Sequence, residues 1–176
     1  MNKDIRDRIK QLSESVLNDP TTFDSENWTW KIWENVTNLF EANEWECDEV
    51  IDNLPVKIQT IFLLEDLKST INNDGLLSVF YNESLYAIKR LRHAIDLSGV
   101  KMAGNLFDKA LRLVKSRFTW SNKHINFVDQ MDGDVQPYEF FGEKITDRIE
   151  EIESQISDIL FTDEFEKLLE SYIKSP

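Results

Sequence analysis

The chain has 176 residues, of which 41% are hydrophobic and 11% aromatic, so it carries enough apolar side chains to form a hydrophobic core. Its formal net charge of −13 argues against direct binding to nucleic acid or to an anionic membrane, and favours basic partners. The single cysteine excludes a disulfide framework within the chain, and the lack of a signal-peptide-like start or a membrane-length apolar run predicts a cytoplasmic protein.

Apolar residues recur with the period of an α-helix in the first part of the chain, beginning with the stripe Ile5, Ile9, Leu12 and Val16. A second helix is predicted to follow Asp24 or Ser25, either of which suits the N-cap position. Pro55 suits the first turn of a third helix. This helix, 55–73, is apolar on most sides, so we expect it at the centre of the fold.

The helical pattern continues to the end of the chain. A short turn of helix is predicted at 76–81, followed by helices at 84–97 and 100–116, with an irregular connection over 117–138. Two further helices are predicted from 139 or 143 to 160 and over 162–174, with Thr162 as a cap. Since no alternating strand pattern occurs, the sequence predicts an all-α, single-domain bundle of about seven helices over residues 1–176, with a central buried helix at 55–73.

Charge is distributed unevenly along the sequence. Residues 14–52 hold eleven acidic residues against Lys31, and residues 124–170 hold fourteen against three basic ones. Residues 84–123 have the opposite balance, with nine basic and two acidic residues. The molecule is therefore polarised, with basic side chains such as Lys101, Arg112 and Lys115 opposite the apolar face of the helix at 100–116.

A row of carboxylates is predicted on the outward face of the acidic C-terminal helix, opposite its isoleucines: Glu143, Asp147, Glu150, Glu151 and Asp158. Glu34 and Glu41 lie on the polar side of the second helix. These rows are either solvated faces, partly neutralised by the basic helix at 100–116, or imitations of the phosphates of nucleic acid. Carboxylates four positions apart on a helix repel one another, so stability alone does not favour such a row.

A sequence resemblance runs from Leu54 to about Val114. It is carried by Leu54-Pro55, by Ile71-Asn72-Asn73-Asp74-Gly75-Leu76, by Phe80-Tyr81-Asn82, and by 95–99 with Ala103 and Ala110. These segments resemble a bacterial all-helical family of unknown function that includes DNA-mimic proteins, although Thr70, Asp74 and Leu76 depart from its pattern. The resemblance implies a helical fold, a homodimer and, in the mimic members, occupation of the DNA-binding surface of a transcription factor. We interpret Asn72, Asn73, Gly75 and Asn82 as caps and turn formers.

Catalytic and metal-binding patterns are weak in this sequence. In the loop 129–139, Asp132, Gly133 and Glu139 fit positions five, six and twelve of a calcium-binding EF-hand, but Val128 falls at position one and cannot ligate. Acidic neighbours disfavour the thiolate form of Cys47, and no motif supplies a general base. We therefore predict no enzymatic activity, no cofactor and no resident metal.

Three hypotheses follow. The first is an acidic, DNA-mimic-like interaction protein that binds the basic surface of a DNA-binding protein or transcription factor. The alternative is an immunity or antitoxin-type inhibitor of a basic nuclease toxin, and the third is a calcium- or metal-binding module or enzyme that uses the loop 129–139. The tryptophans at 28–45 exceed what one small core can bury, which predicts a homodimer contact there.

Overall fold

The computed structural model describes residues 1–18, 27–115 and 137–175. All regular structure in these ranges is helical, so the predicted all-α class is confirmed. The helices are α1 (Lys3–Asn18), α2 (Trp28–Ala42), α3 (Cys47–Asn53), α4 (Val56–Asp74), α5 (Leu76–Asn82), α6 (Leu85–Leu97), α7 (Lys101–Lys115), α8 (Pro137–Phe141), α9 (Glu143–Leu160) and α10 (Asp163–Lys174). The short helices α3 and α8 are additional to the predicted set of about seven.

Helix ends follow local capping chemistry at several positions. The Ser84 hydroxyl accepts a hydrogen bond from the Ala87 backbone N–H at 3.1 Å, and the Thr162 hydroxyl accepts one from Phe165 N–H at 3.2 Å. Both side chains satisfy donors that have no partner inside the helix. Helix α2 begins at Trp28 after Asn27, whereas the predicted caps Asp24 and Ser25 lie outside the described residues.

The predicted helix at 55–73 begins one residue later, at Val56, and ends at Asp74. Thr60 is buried in this helix, together with apolar side chains around most of its circumference: Ile58, Ile61, Phe62, Leu63, Leu64, Leu67 and Ile71. Burial on several sides is the arrangement expected of an interior helix.

The chain divides into two compact units, whose boundaries fall within α4 and α10. The first unit comprises residues 1–66 and 166–176. In it α1 packs on α2, and α2 packs on α3. The Phe40 and Phe62 rings meet edge to face with centroids 5.4 Å apart, and Lys57 Nζ donates to the Ile173 carbonyl at 3.1 Å.

The second unit comprises residues 67–165, and its most extensive packing is between α7 and α9. Helix α6 also packs on α7, while α5 and α8 pack on α9. Arg92 binds Asp108 with two hydrogen bonds, from Nε to Oδ1 at 2.8 Å and from Nη2 to Oδ2 at 3.0 Å, and so joins α6 to α7. Gly104 lies close to this ion pair, since a Cβ there would lie 3.1 Å from the guanidinium carbon and would require Arg92 to shift by a few tenths of an ångström.

Within the described ranges, no helix combines the length and the apolar character needed to cross a membrane.

Candidate acidic interface on α9

Helix α9 separates its apolar and acidic residues onto opposite sides. Ile149, Ile152, Ile156 and Leu160 are buried. The five predicted interface carboxylates are all exposed: Glu143, Asp147, Glu150, Glu151 and Asp158. At 1.5 Å per residue, they extend over about 22 Å of helix axis. We call these five side chains the α9 acidic row.

The basic helix α7 is the principal packing partner of α9, so the two oppositely charged segments are indeed neighbours. The buried side chains of both helices are apolar, and on α7 they are Ala103, Phe107, Ala110 and Val114. The cationic side chains of α7 remain exposed: Lys101, Lys109, Arg112 and Lys115. No member of the α9 acidic row forms an ion pair with a described residue. The row is therefore not neutralised by direct pairing with α7.

Helix α9 also carries two basic side chains beside the α9 acidic row. Lys144 and Arg148 are exposed, and at about 100° per residue they lie along one flank of the row, near Glu151. Helix α9 still carries six acidic residues against these two basic ones. The other flank, towards Glu150, is entirely acidic or neutral.

Glu153 is the one carboxylate of α9 outside the predicted row. It is half-buried at the edge of the apolar stripe, and its Oε2 accepts a hydrogen bond from the Leu76 backbone N–H at 2.5 Å. Leu76 begins α5, where the N–H has no partner inside the helix. Glu153 therefore joins α9 to α5 and is separate from the exposed row. Helical phase alone indicates that Glu153 borders the core, but its partner lies 77 positions earlier in the chain.

Glu153 also lines two open hollows. One is lined by Asp74, Gly75, Tyr138, Glu150 and Glu153, together with apolar and hydroxyl side chains, and the other by Asn72, Glu153, Ser157, Asp158 and Phe161. Both contain a residue of the α9 acidic row, and neither contains a basic residue. Each hollow therefore extends the negative surface towards the end of α4.

The predicted turn residues occupy different local structures. Gly75 has φ of 81° and ψ of 163°, a conformation that residues with a Cβ rarely adopt, and it separates α4 from α5. Asn72 and Asn73 lie inside the last turn of α4, which continues to Asp74, so they do not form the turn itself. Asn82 is the last residue of α5.

Glu34 and Glu41 are exposed on α2, in the first unit. Trp30 shares this outward side of the helix, because Ile32, Val36 and Leu39 occupy the buried side. Trp28 is buried, and the indole N–H of Trp33 donates to Asp66 Oδ1 at 2.9 Å. Trp120 lies outside the described residues.

The residues considered for metal binding or catalysis are dispersed or lie outside the described ranges. Among the described residues, no group of three or more His, Cys, Asp and Glu is arranged to hold a metal ion. Residues 128–136 of the calcium-type loop, together with His124, are outside the described ranges, and Glu139 lies in α8. His93 is exposed on α6, and Cys47 is half-buried at the start of α3.

Comparison with known proteins yields one family. The family model of DMP19-like proteins matches residues 52–175, well over half of the chain. This match is longer than the resemblance at 54–114, and it includes α9 and α10 with their acidic residues. Neither a curated protein nor a solved structure matches the chain. The chain belongs to the family of DMP19-like proteins.

Proposed function

We propose that this protein is an acidic, DNA-mimic-like interaction protein that binds the basic surface of a DNA-binding protein, such as a transcription factor, and acts as a homodimer. The observation that carries the proposal is the α9 acidic row, which is exposed and has no ion pair with a described residue, although α9 packs against the most basic of the described helices. Membership of the DMP19-like family, whose matched region includes this row, supports the same function.

The spacing of the row suits a surface that normally binds phosphates. Each strand of duplex DNA presents one phosphate per about 3.4 Å of axis, or about seven over the length of the row. The row presents five carboxylates over the same length. A single helix reproduces one strand coarsely, and a second copy of the chain would supply the second row.

The energetics of the row also favour a role in binding. Asp147 lies four positions from both Glu143 and Glu151, and such like-charged pairs destabilise a helix by about 0.2–0.5 kcal/mol each. A basic partner would relieve this repulsion in the complex. Long-range attraction would also accelerate association, and salt would weaken it.

A pull-down with matched variants tests the proposal. The variant D147N/E151Q removes two charges from the α9 acidic row, and D4N/D7N removes two from exposed positions on α1. The immobilised protein should retain a basic DNA-binding protein from a nucleic-acid-depleted extract, and duplex DNA and salt should both displace it. D147N/E151Q should retain less of it than D4N/D7N.

Three results would contradict the proposal. They are equal retention by the two variants, retention that salt does not affect, and a captured protein that binds DNA and this chain at the same time. Capture of a basic nuclease whose activity is then inhibited would instead favour the immunity-type alternative.

A further inference from the structure

A second acidic surface, in the first unit, differs from the α9 acidic row because it also exposes two large aromatic side chains. It consists of the outward side of α2 and the turn that follows, with Trp30, Glu34, Glu41, Glu44 and Trp45. Trp30 is 43% exposed and Trp45 is 60% exposed. We call these five residues the α2 aromatic face.

The turn after α2 holds Trp45 outward. Glu44 and Trp45 have φ of 55° and 65°, and they are the described non-glycine residues with positive φ. The Trp45 N–H donates to the Phe40 carbonyl at 2.8 Å, which is the closing bond of a helix-terminating turn that usually has glycine at the position of Glu44. The Phe40 side chain is buried against Phe62, so the exposed indole is attached to a turn with a buried anchor.

Trp30 is positioned by its neighbours in a different way. Its ring stacks on Trp33 with centroids 4.5 Å apart and planes inclined by 18°. Trp33 is itself oriented by the hydrogen bond from its indole N–H to Asp66. One side of the Trp30 ring is therefore covered by Trp33, and the exposed part of the Trp30 ring is available to a partner.

The charge of the α2 aromatic face determines whether it attracts cationic or anionic ligands. Glu34, Glu41 and Glu44 are exposed, and Lys31 is the one basic residue of α2. A cation over an indole face is attracted by the ring quadrupole, and tryptophan is the strongest of the aromatic side chains in this respect. Neighbouring carboxylates add to the attraction for a cation and repel the phosphates of a nucleic acid.

We propose that the α2 aromatic face binds arginine and lysine side chains of a basic protein partner, with the cations over Trp30 and Trp45 and the carboxylates beside them. This inference rests on the proposed function for the basic character of the partner. It concerns a different surface, since the α9 acidic row belongs to the second unit and contains no aromatic residue.

Calorimetric titration of the full chain with an oligo-arginine peptide tests the inference. W45A and W30A should each weaken binding about two- to five-fold, the range for a cation–aromatic contact at an exposed site, and W45F should fall between W45A and the wild type. M102A is the matched control, because Met102 is a 65% exposed apolar residue on basic helix α7. It should leave the affinity unchanged. Circular dichroism establishes that each variant is folded.

The possible outcomes separate this inference from the proposed function. Wild-type peptide affinity in both W30A and W45A overturns the proposal that the α2 aromatic face binds cationic side chains. The proposed function is then still decided by the effect of D147N/E151Q on partner retention. Loss of a dimer in W30A or W45A, seen by light scattering and without a change in peptide affinity, overturns the inference in favour of a self-interface. Tighter binding of a DNA duplex than of the peptide, weakened by W45A, also overturns it.

Discussion

The Glu153 carboxylate accepts a hydrogen bond from the Leu76 backbone N–H, across the packing of α9 against α5. The same carboxylate oxygen lies 3.0 Å from the position that a Cβ on Gly75 would occupy. One acidic side chain of α9 therefore has a structural role at the start of α5, whereas the five carboxylates of the α9 acidic row face outward. This division determines which acidic substitutions should affect folding and which should affect binding.

Substitution of Glu153 should destabilise the protein. E153A leaves the N–H of the buried residue Leu76 without its acceptor, which costs about 1–3 kcal/mol. E153Q keeps an acceptor oxygen and should cost less. Urea unfolding measures both, with E150Q as the control because Glu150 is exposed and should change stability by less than about 0.5 kcal/mol. Equal effects of E153A and E150Q would exclude a structural role for Glu153.

Substitution of Gly75 should combine two penalties. G75A forces a Cβ into a conformation that only glycine adopts readily, at about 1–3 kcal/mol, and also against the Glu153 carboxylate. G142A is the matched control: Gly142 has φ of 79° and ψ of 151°, but a Cβ there would meet nothing within 4 Å. G75A should therefore be more destabilising than G142A in chemical unfolding. Equal losses would show that the contact with Glu153 contributes nothing.

The stability of the protein should respond to pH through Asp66. Burial raises the pKa of the Asp66 carboxyl above its ordinary value near 3.8, and the hydrogen bond from Trp33 opposes this shift in part. The folded state therefore retains a proton that the unfolded state releases. The free energy of unfolding should fall as pH rises from the ordinary value through the raised pKa of the folded state.

The variant D66N isolates this effect, since asparagine keeps an acceptor for the Trp33 indole but does not ionise. The stability of D66N relative to the wild type should increase with pH across that interval and then become constant. Urea unfolding at a series of pH values from acidic to neutral measures the difference. A difference that is independent of pH would contradict the raised pKa.

The turn after α2 offers a stabilising substitution. Glu44 has φ of 55°, which costs a residue with a side chain about 1–2 kcal/mol, and glycine avoids most of that cost. E44G should therefore stabilise the protein by up to about 1 kcal/mol. E46G is the control, because Glu46 has φ of −73° and gains nothing from glycine. Thermal unfolding should order the proteins E44G, wild type and E46G, and a loss of stability in E44G would contradict the assigned turn.

The helices that the sequence predicts well are those with a long apolar stripe and a local cap. Helices α6 and α10 are confirmed close to their predicted limits. Their caps, Ser84 and Thr162, accept hydrogen bonds from backbone N–H groups only three positions later, so the signal for each helix start is local in the sequence. Helices α3 and α8 were not predicted: the buried residues of α3 are the adjacent Val50 and Ile51, which cannot show a helical period, and α8 has five residues. Phe141, at the end of α8, is 1% exposed, so tertiary packing stabilises this short helix although its sequence shows no helical period.

The sequence by itself determined the helical class and the outward direction of the α9 acidic row, because both follow from the 3.6-residue period of one continuous helix. Only the tertiary structure decided that Glu153 binds α5, that α7 packs on α9 without pairing with its carboxylates, and that Trp45 is exposed while Trp28 is buried. Each of these depends on residues that packing brings together from distant parts of the chain. Periodicity along one segment contains no information about which other segment will cover it.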